Sequence, residues 1–433
     1  MAGRSSSALV LDRSGSGRYD ALSVTVTVTP QTGTGMDALR EIRKNPALLT
    51  FMLGHFTVDL YSGLLPVLYP LMAIQFELSN QEVGIVALSF MTAASLSQPL
   101  FGYLADKHGS RYLAPASLAW AAIMFGVIGL SPSAGFFMFA AFMAGLGSGA
   151  YHPVGASNAA AAVRDESRNT AMSIYTVSGT GGFALGPILG AFIFGVFHQE
   201  GALLVLPLGL IAAWMVFRSL IKLNLGLPER RAQGSVDEQF SIRWKYLSPV
   251  IAVVMLRSWV FLSVVTLSPL WYQELGFSAS FYGILVTAML GVGALGTIAG
   301  GMLADRIGQR QVLVASLLLS IPSLAIFLMF PGPWALLTGA IFGFLADMSI
   351  SVTLVMAQGM VQGRAGMASG FILGIGFVTG GIGVPITGTL ADYVGIPMAL
   401  GITGVLLVVG LVIVMLLPEH VARRTPRAAP SVG

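Results

Sequence analysis

Ionisable residues lie inside several of the long apolar stretches of this 433-residue chain. Because burying a charge in an apolar environment costs free energy, these residues are candidates for function. They are His55, Asp59, His152, Arg257 and Asp347. Asp59 and His55 lie four residues apart, on one face of a helix, so we assign them to proton coupling. Arg257 carries a permanent guanidinium charge, which suits oxyanions such as phosphonates or carboxylates. The candidate substrate-binding residues are Arg257, His152, Tyr151 and Asp347.

Each of these residues also has a purely structural interpretation. Asp59 and Arg257 would neutralise each other as an ion pair between the two halves of the chain, and Asp347 is an alternative partner for Arg257. His152, which precedes Pro153, would be a neutral histidine that hydrogen-bonds across helices. Substitution is expected to damage the protein under either interpretation, so only transport measured on folded variants separates them.

The elements that position these residues are apolar stretches of about 20 residues, the length that crosses a bilayer as a helix. We predict twelve, near residues 47–74, 82–105, 112–131, 134–163, 169–196, 202–222, 247–273, 279–304, 311–330, 334–361, 365–390 and 395–417. The ionisable residues fall near the middle of the first, fourth, seventh and tenth spans, where a binding site between 3+3 helix repeats is expected. The sequence therefore predicts an all-α membrane protein with 12 transmembrane helices in two six-helix bundles.

Composition agrees with a lipid environment and excludes several classes of protein. The chain is 55% hydrophobic and 10% charged, whereas a soluble domain carries about 25% charged residues. It has no cysteine, which excludes disulfides, zinc–cysteine sites, iron–sulfur clusters and thiol catalysis. We predict a disordered cytoplasmic N-terminal tail (residues 1–45), an N-terminal bundle (46–222), a cytoplasmic central loop (223–246), a C-terminal bundle (247–418) and a cytoplasmic C-terminal tail (419–433).

The basic residues outside the spans lie on one side of the predicted membrane, which accounts for the net charge of +4. They are Arg40, Arg43, Lys44, Lys107, Arg111, Arg164, Arg168, Arg306, Arg310, Arg364, Arg423, Arg424 and Arg427, together with those of the central loop. The opposite side carries the acids Glu77, Glu82, Glu200, Glu274 and Asp392. Because cytoplasmic loops are enriched in Lys and Arg, we expect a multi-pass protein of the bacterial cytoplasmic (inner) membrane with both termini in the cytoplasm.

A charged loop occurs twice, once in each half of the chain. Gly102-Tyr-Leu-Ala-Asp106-Lys-His-Gly109-Ser-Arg111 returns as Gly301-Met-Leu-Ala-Asp305-Arg-Ile-Gly308-Gln-Arg310. A glycine that turns the chain and a base that starts the next helix suit two membrane helices joined on the basic side. The duplication predicts two similar halves, as in many secondary transporters.

Glycine-rich stretches provide a second symmetric feature. Gly179–Gly190 in the fifth span and Gly374–Pro385 in the eleventh contain small residues three and four apart beside a proline, which allows helices to approach closely and to bend. Gly145–Pro153 is expected to loosen the fourth helix around His152, although tight static packing explains such glycines equally well. No metal-type spacing of histidines or carboxylates is present, and no metal site is expected.

The paired loops resemble the signature of the major facilitator superfamily. Gly182, Gly186, Pro187 and Gly190 are similar to the antiporter motif of its fifth helix, although Ala191 stands where a further glycine is common. Within that superfamily, His55-x-x-x-Asp59, Gly147–Pro153 and Ala357–Gly370 resemble the fosmidomycin-resistance type of drug exporter. The resemblance runs from about His55 to Asp392.

The resemblance implies the major facilitator fold and proton-driven efflux of a small, anionic drug such as fosmidomycin by alternating access. It makes Asp59, His152, Arg257 and Asp347 face one another in a central cavity. It also makes the charged loops gate latches, with Asp106 capping a neighbouring helix end and pairing with a base across the halves. The arginine that many proton-coupled exporters carry early in the fourth helix has no equivalent here, so their proton route does not transfer.

The main alternative is proton-coupled uptake of a small organic anion or metabolite by the same fold. We expect no enzymatic activity, because the polar loops are too short for a catalytic domain, and no nucleotide-binding Gly-x-x-x-x-Gly-Lys loop is present. The expected partners are the small-molecule substrate, protons and the lipid bilayer, with no nucleic acid and no cofactor; the proton gradient is the energy source and the protein works as a monomer.

Overall fold

The computed structural model describes residues 44–163, 168–227, 241–362 and 365–417, and these residues are largely helical. The helices are α1 (Pro46–Phe76), α2 (Asn80–Leu96), α3 (Gln98–His108), α4 (Leu113–Ile128), α5 (Ala134–Ala161), α6 (Arg168–Phe197), a 3₁₀-helix (His198–Val205), α7 (Leu206–Lys222), α8 (Trp244–Glu274), α9 (Ala279–Ile307), α10 (Gln309–Met329), α11 (Ala335–Met360), α12 (Ala365–Val394), α13 (Ile396–Thr403) and α14 (Val405–Met415). Most of the predicted tails and of the central loop, and the basic residues Arg164 and Arg364, lie outside the described residues.

Helix α1 illustrates how the sequence builds a span. The side chain of Asn45 accepts hydrogen bonds from the backbone N–H groups of Ala47 and Leu48, and Pro46 occupies the first turn, where its missing N–H costs nothing. The helix then runs for 31 residues, about 46 Å at 1.5 Å per residue, which exceeds the hydrocarbon thickness of a bilayer.

Ten helical stretches are long and apolar enough to cross a membrane, and the longest is Ile174–Lys222 with 49 residues. Its first part, α6, runs in the same direction as α1. Gly182 packs against the backbone of Phe56, and eight residues further along both helices Gly190 packs against Leu64.

The second part of this stretch, α7, returns in the opposite direction. The hydroxyl of Tyr61 donates to the carbonyl of Val205, whereas Ser219 bonds to Thr50 at the other end of α1. The reversal occurs at His198, whose φ of 50° breaks the helix. With this stretch counted as two crossings, and with the shorter apolar helix α4 added, the chain crosses the membrane twelve times, as predicted.

Two of the predicted spans are broken helices. The second consists of α2 and α3, which separate at Ser97 just before Pro99, a residue that cannot donate a helical hydrogen bond. The twelfth consists of α13 and α14, which separate at Gly404. Two short strands, β1 (Ser241–Ile242) and β2 (Val361–Gln362), pair antiparallel beside the end of α11.

Helices α1–α7 form one bundle and α8–α14 the other. We call the side with the α3–α4 and α9–α10 loops the basic face, and the side with the α1–α2 loop and the end of α12 the acidic face.

The main packed pairs between bundles are α2 with α12, α6 with α9 and α1 with α8. Between α2 and α12, the close glycine contacts run from the acidic face, where Gly388 meets Asn80, to Gly381, which meets Met91. Met91 lies 11 residues into α2, about 17 Å along the axis and roughly half the hydrocarbon thickness. The bundles are thus joined in the half of the membrane near the acidic face.

Candidate functional site

The first candidate site joins α1 to α5 in the N-terminal bundle. One carboxylate oxygen of Asp59 lies 3.3 Å from Nε2 of His55, and the other lies 3.3 Å from Nε2 of His152. The side chains of Asp59 and His152 are 18% and 26% exposed, so the group is reachable by solvent. The structure thus brings together an acid and two histidines, of which sequence spacing had linked only His55 and Asp59.

The tautomer of His55 follows from its surroundings. Its Nδ1 lies 2.9 Å from the backbone carbonyl of Tyr175, which can only accept, so Nδ1 carries a proton. In the neutral ring Nε2 then has no proton, yet it faces a carboxylate oxygen of Asp59 at 3.3 Å. Two acceptors at this distance are compatible only if a cation lies between them, and one proton on either group meets this need.

Helix α6 holds His55 in place with two residues that sequence analysis did not assign to the site. The ring of Tyr175 stacks on His55 with centroids 4.3 Å apart. One turn later, a Cβ on Gly179 would come within 2.5 Å of His55 and even nearer to Asp59, so only glycine fits. Their spacing of four residues in the fifth span is the signal that could have identified them, because it places both on one helical face.

Helix α5 presents His152 without being loosened there. It continues through Pro153 from Ala134 to Ala161. Gly145 and Gly149 pack against the backbone of α2, and Gly147 packs against α4. The expectation of a loosened fourth helix is therefore replaced by tight packing of glycines against neighbouring helices.

Tyr151 does not line a cavity. Its side chain is 0% exposed, and its hydroxyl donates to the carbonyl of Phe51 at 3.0 Å. Its ring fills the space beside Gly54, where a Cβ would clash with it. In this arrangement Tyr151 packs α5 against α1, and substrate binding by Tyr151 stays a prediction.

The second candidate site lies in the C-terminal bundle, where α8 meets α11. Nη1 of Arg257 donates to Asp347 at 2.9 Å, and Nη2 donates to Ser258 at 3.1 Å. The side chains of Arg257 and Asp347 are 11% and 9% exposed. Helix α9 approaches closely because Gly293 has no side chain to meet the carboxylate of Asp347. The guanidinium also lies 5.9 Å from the ring centroid of Phe261.

The ionisable residues therefore form two groups, one in each bundle. Each group bridges the first and fourth spans of its own half, so the two sites occupy equivalent places. Arg257 pairs with Asp347, and among the described residues Asp59 pairs only with the two histidines. The Asp59–Arg257 ion pair between halves is not formed, and the alternative with Asp347 is the one observed.

The N-terminal group has the donor set of a cation site. The ligand atoms of His55, Asp59 and His152 all lie within 4.8 Å of one another, and theirs is the one such group among the described residues. Two imidazole nitrogens and a carboxylate suit a transition metal, and the same contacts are satisfied by a proton. This group shows no metal-type spacing in the sequence, because His152 comes from another helix.

The antiporter-like motif packs α6 against two neighbours. Gly182 and Gly186 lie against the backbone of α1. The carbonyl of Pro187 meets Gly283 of α9, and the backbone N–H of Ile188 donates to Thr287 at 2.9 Å. The motif therefore lies at the contact between bundles near the acidic face.

The repeated loops lie on the basic face, and their arginines contact helix ends. Arg111 donates to the carbonyl of Leu225 and, at 2.5 Å, to the side chain of Asn224, just beyond the end of α7. Arg310 donates in the same way to the carbonyls of Val414 and Met415, at the end of α14. Each arginine thus holds the last helix of its own bundle, where a cation also complements the helix dipole.

The acid Asp106 does not make the contacts expected of a gate latch. Asp106 is exposed and bonds to none of the residues that the structure describes, so the expected cap and cross-bundle pair are absent from this arrangement. Asp305 occupies the matching exposed position in α9. Gly102 and Gly301 face Pro153 of α5 and Ser351 of α11, respectively.

Comparison with known proteins places this geometry in a family. The sequence profile of the Major Facilitator Superfamily matches residues 51–280 and 247–432. The Fosmidomycin resistance protein of Escherichia coli (strain K12) is 27% identical over 374 residues, which cover 84% of this chain and 91% of that protein. The MFS-type transporter YfnC of Bacillus subtilis (strain 168) is 33% identical over 400 residues, which cover 86% of this chain and 93% of YfnC.

Solved structures agree on the fold. A bacterial homologue of the human lysosomal transporter Spinster, in an inward-facing and unoccupied conformation, gives a TM-score of 0.77 at 16% identity and covers 88% of this chain and 98% of that one. A mutant of the nucleoside transporter NupG gives a TM-score of 0.71 at 15% identity, with 86% and 99% covered. The twelve crossings, the two bundles and the profile match over most of the chain have one interpretation: this multi-pass membrane protein belongs to the major facilitator superfamily of transporters.

Proposed function

We propose that this protein is a proton-coupled exporter of a small anionic compound such as fosmidomycin and works by alternating access as a monomer. The observation that carries the proposal is that the two bundles hold different ionisable groups. Asp59 and His55, which require a proton between them, lie in one bundle, and the guanidinium of Arg257 lies in the other. The name of the E. coli relative supports the substrate and the direction.

The proposed proton site is Asp59 with His55 and His152. The carbonyl of Tyr175 fixes His55 so that its unprotonated nitrogen faces Asp59. One proton is therefore held between these groups, and its loss leaves two acceptors facing each other. Such a group can load and release a proton when it is exposed first to one side of the membrane and then to the other.

The proposed anion site is Arg257. A phosphonate or carboxylate offers the guanidinium a bidentate partner, whereas Asp347 occupies it with one bond of 2.9 Å. Substrate binding would thus exchange one carboxylate for another oxyanion. Asp347 serves as the counter-ion that keeps Arg257 neutralised while no substrate is bound.

In this proposal coupling does not pass through an Asp59–Arg257 pair, because Arg257 pairs with Asp347 and Asp59 pairs with the two histidines. In this proposal, the proton and the substrate each bias which face of the protein is open, and a ligand shifts that balance only by its difference in affinity for the two states. The basic face is taken as cytoplasmic under the positive-inside rule. The described arrangement, joined near the acidic face, then corresponds to an inward-facing state.

Proton-coupled uptake of a small organic anion is the second candidate function, and one physical argument favours it. A bound anion and a bound proton attract each other, which favours carrying both in the same direction. Antiport must overcome this attraction through the conformational balance.

The direction of proton movement distinguishes the two functions. The protein is reconstituted in liposomes that contain a pH-sensitive dye, and fosmidomycin is added outside. Antiport predicts that the interior becomes alkaline as drug enters and protons leave. An acidified interior would overturn export and establish cotransport, and an unchanged interior pH during drug entry would refute proton coupling. Empty liposomes with the same dye control for leakage.

A further inference from the structure

The loop motif of the basic face has a third copy on the acidic face. Gly388-Thr-Leu-Ala-Asp392-Tyr-Val-Gly395 repeats the Gly-x-Leu-Ala-Asp-x-x-Gly pattern of Gly102–Gly109 and Gly301–Gly308. It ends α12 and leads into α13, so it joins the last two spans. We propose that this third copy, Gly388–Gly395, holds the acidic face closed through Asp392. We call this segment the latch.

The backbone confirms that the three segments are one structural motif. The closing glycines Gly109, Gly308 and Gly395 have φ/ψ values of 85°/159°, 101°/151° and 83°/153°. The N–H of each bonds to the alanine four residues earlier, at 2.7, 3.0 and 2.8 Å. Only glycine adopts such a positive φ without strain, so these positions are needed for the turn.

The third copy differs in charge, as its position requires. Lys107 and Arg306 follow the acid in the first two copies, whereas Tyr393 follows Asp392. The arginines two residues after the closing glycines also have no counterpart there, since Pro397 takes that place. The copy keeps the turn and the acid and lacks the bases that mark the other face.

Asp392 makes a contact that crosses between bundles. Its two carboxylate oxygens accept hydrogen bonds from the backbone N–H groups of Asn80, at 2.8 Å, and Gln81, at 3.1 Å. These are the first two N–H groups of α2, which have no partner within their own helix. A negative charge at this helix end is also favoured by the helix dipole.

The N-terminal bundle does not complete this cap on its own. Ser79 and Glu82 form a capping box that serves the N–H groups of Glu82 and Ser79, so the two N–H groups next to it depend on Asp392. The backbones must come close for this contact, and Gly388 permits it, since a Cβ there would clash with the carbonyl of Asn80. Separation of the bundles at the acidic face would expose both donors to water.

One of the two matching acids of the basic face, Asp106, is not engaged at the same time. Asp106 bonds to none of the described residues, while Asp392 bonds to two. The structure therefore has the latch closed on one face and Asp106 released on the other. This inference concerns the conformational balance and holds for any substrate or coupling ion.

Spin-label distances between the bundles at the acidic face test the latch. The chain has no cysteine, so Gly135→Cys in α5 and Met398→Cys in α13 give two unique labels. Both positions are exposed. Pulsed electron–electron double resonance on this pair, in lipid nanodiscs without substrate, gives the distribution of distances between the labels. That distribution reports the fraction of molecules whose acidic face is open.

Asp392→Asn is expected to raise the open fraction about fivefold, equivalent to about 1 kcal/mol of conformational balance. Asn80→Pro removes one donor at a helix position where proline is favourable, and it is expected to shift the balance in the same direction. The double variant should open little further than Asp392→Asn alone, because both changes break the same contact.

Glu82→Gln is the matched control, because it removes a negative charge from the same helix end without touching the other bundle. It should leave the distances as in the parent. The latch would be overturned by parental distances in both Asp392→Asn and Asn80→Pro, or by equal opening in Glu82→Gln. Since no substrate or proton gradient is used, this result is independent of the outcome of the proton-flux assay.

Discussion

Replacing Asp347 by asparagine is expected to lower the stability of the ligand-free protein and to raise its affinity for anions. The substitution keeps the size of the side chain but leaves the guanidinium of Arg257 without its counter-ion. Both side chains are about one-tenth exposed, so water compensates little for the loss. Removing one partner of a buried ion pair costs about 3–5 kcal/mol.

The same cost sets the expected gain in affinity. An anionic substrate that reaches Arg257 in the variant no longer displaces a carboxylate, and it neutralises a buried charge. If about 1.4 kcal/mol of the cost is returned on binding, affinity rises about tenfold. The ligand should also restore thermal stability more in the variant than in the parent, because it binds only the folded state.

The assay combines isothermal titration calorimetry with thermal unfolding in detergent, using fosmidomycin and methylphosphonate as ligands. Ser258→Ala is the matched control, since it removes the other hydrogen bond of Arg257, 3.1 Å long, and leaves the charge pair intact. That change should cost only about 1 kcal/mol of stability. Weaker or unchanged anion binding by folded Asp347→Asn would refute the assignment of Arg257 as the anion site.

Two further substitutions test the supports of the sites. Gly179→Ala should abolish proton-coupled transport, because its Cβ would displace Asp59 or His55. Gly181→Ala, which has open space around it, should transport normally. Equal transport by both variants in liposomes would contradict this account. Arg111→Gln should lower the free energy of unfolding by about 1–2 kcal/mol, because it loses the hydrogen bonds beyond the end of α7. Arg111→Lys should have a stability between those of the parent and Arg111→Gln. Unchanged thermal unfolding of Arg111→Gln would contradict the role of Arg111 in holding α7.

The sequence predicted the crossings well because apolar length is a strong signal. It also located the basic loops and the spans that carry ionisable residues. It placed the sixth span at 202–222, whereas the structure has a 3₁₀-helix before α7, which begins at Leu206. Such boundaries depend on local turn geometry, here the positive φ of His198, which composition does not encode.

Pairing between helices was beyond sequence reasoning. The spacing of His55 and Asp59 on one helix was informative, but the approach of His152 depends on how α5 packs against α1. Likewise, two carboxylates were candidates to neutralise Arg257, and only the fold selects Asp347. Tyr175 contributes through its backbone carbonyl as well as its ring, and no residue type signals the role of the carbonyl.

The sequence itself carries the signal of the third copy. The acid Asp392 was assigned to the acidic face, yet the Gly388–Gly395 segment repeats the motif that was recognised twice elsewhere. Without its basic residues the copy does not resemble a cytoplasmic loop. The shared φ/ψ values of the closing glycines make the relation evident.

Substrate-driven proton movement in Asp59→Asn liposomes tests the central claim most directly. Asparagine keeps the shape of the side chain but cannot exchange a proton, so His55 and His152 lose the acid that links them. The account predicts that the variant still binds fosmidomycin, since Arg257 is unchanged, and that the drug no longer moves protons. Drug-dependent proton movement at the parental rate in Asp59→Asn would contradict the account.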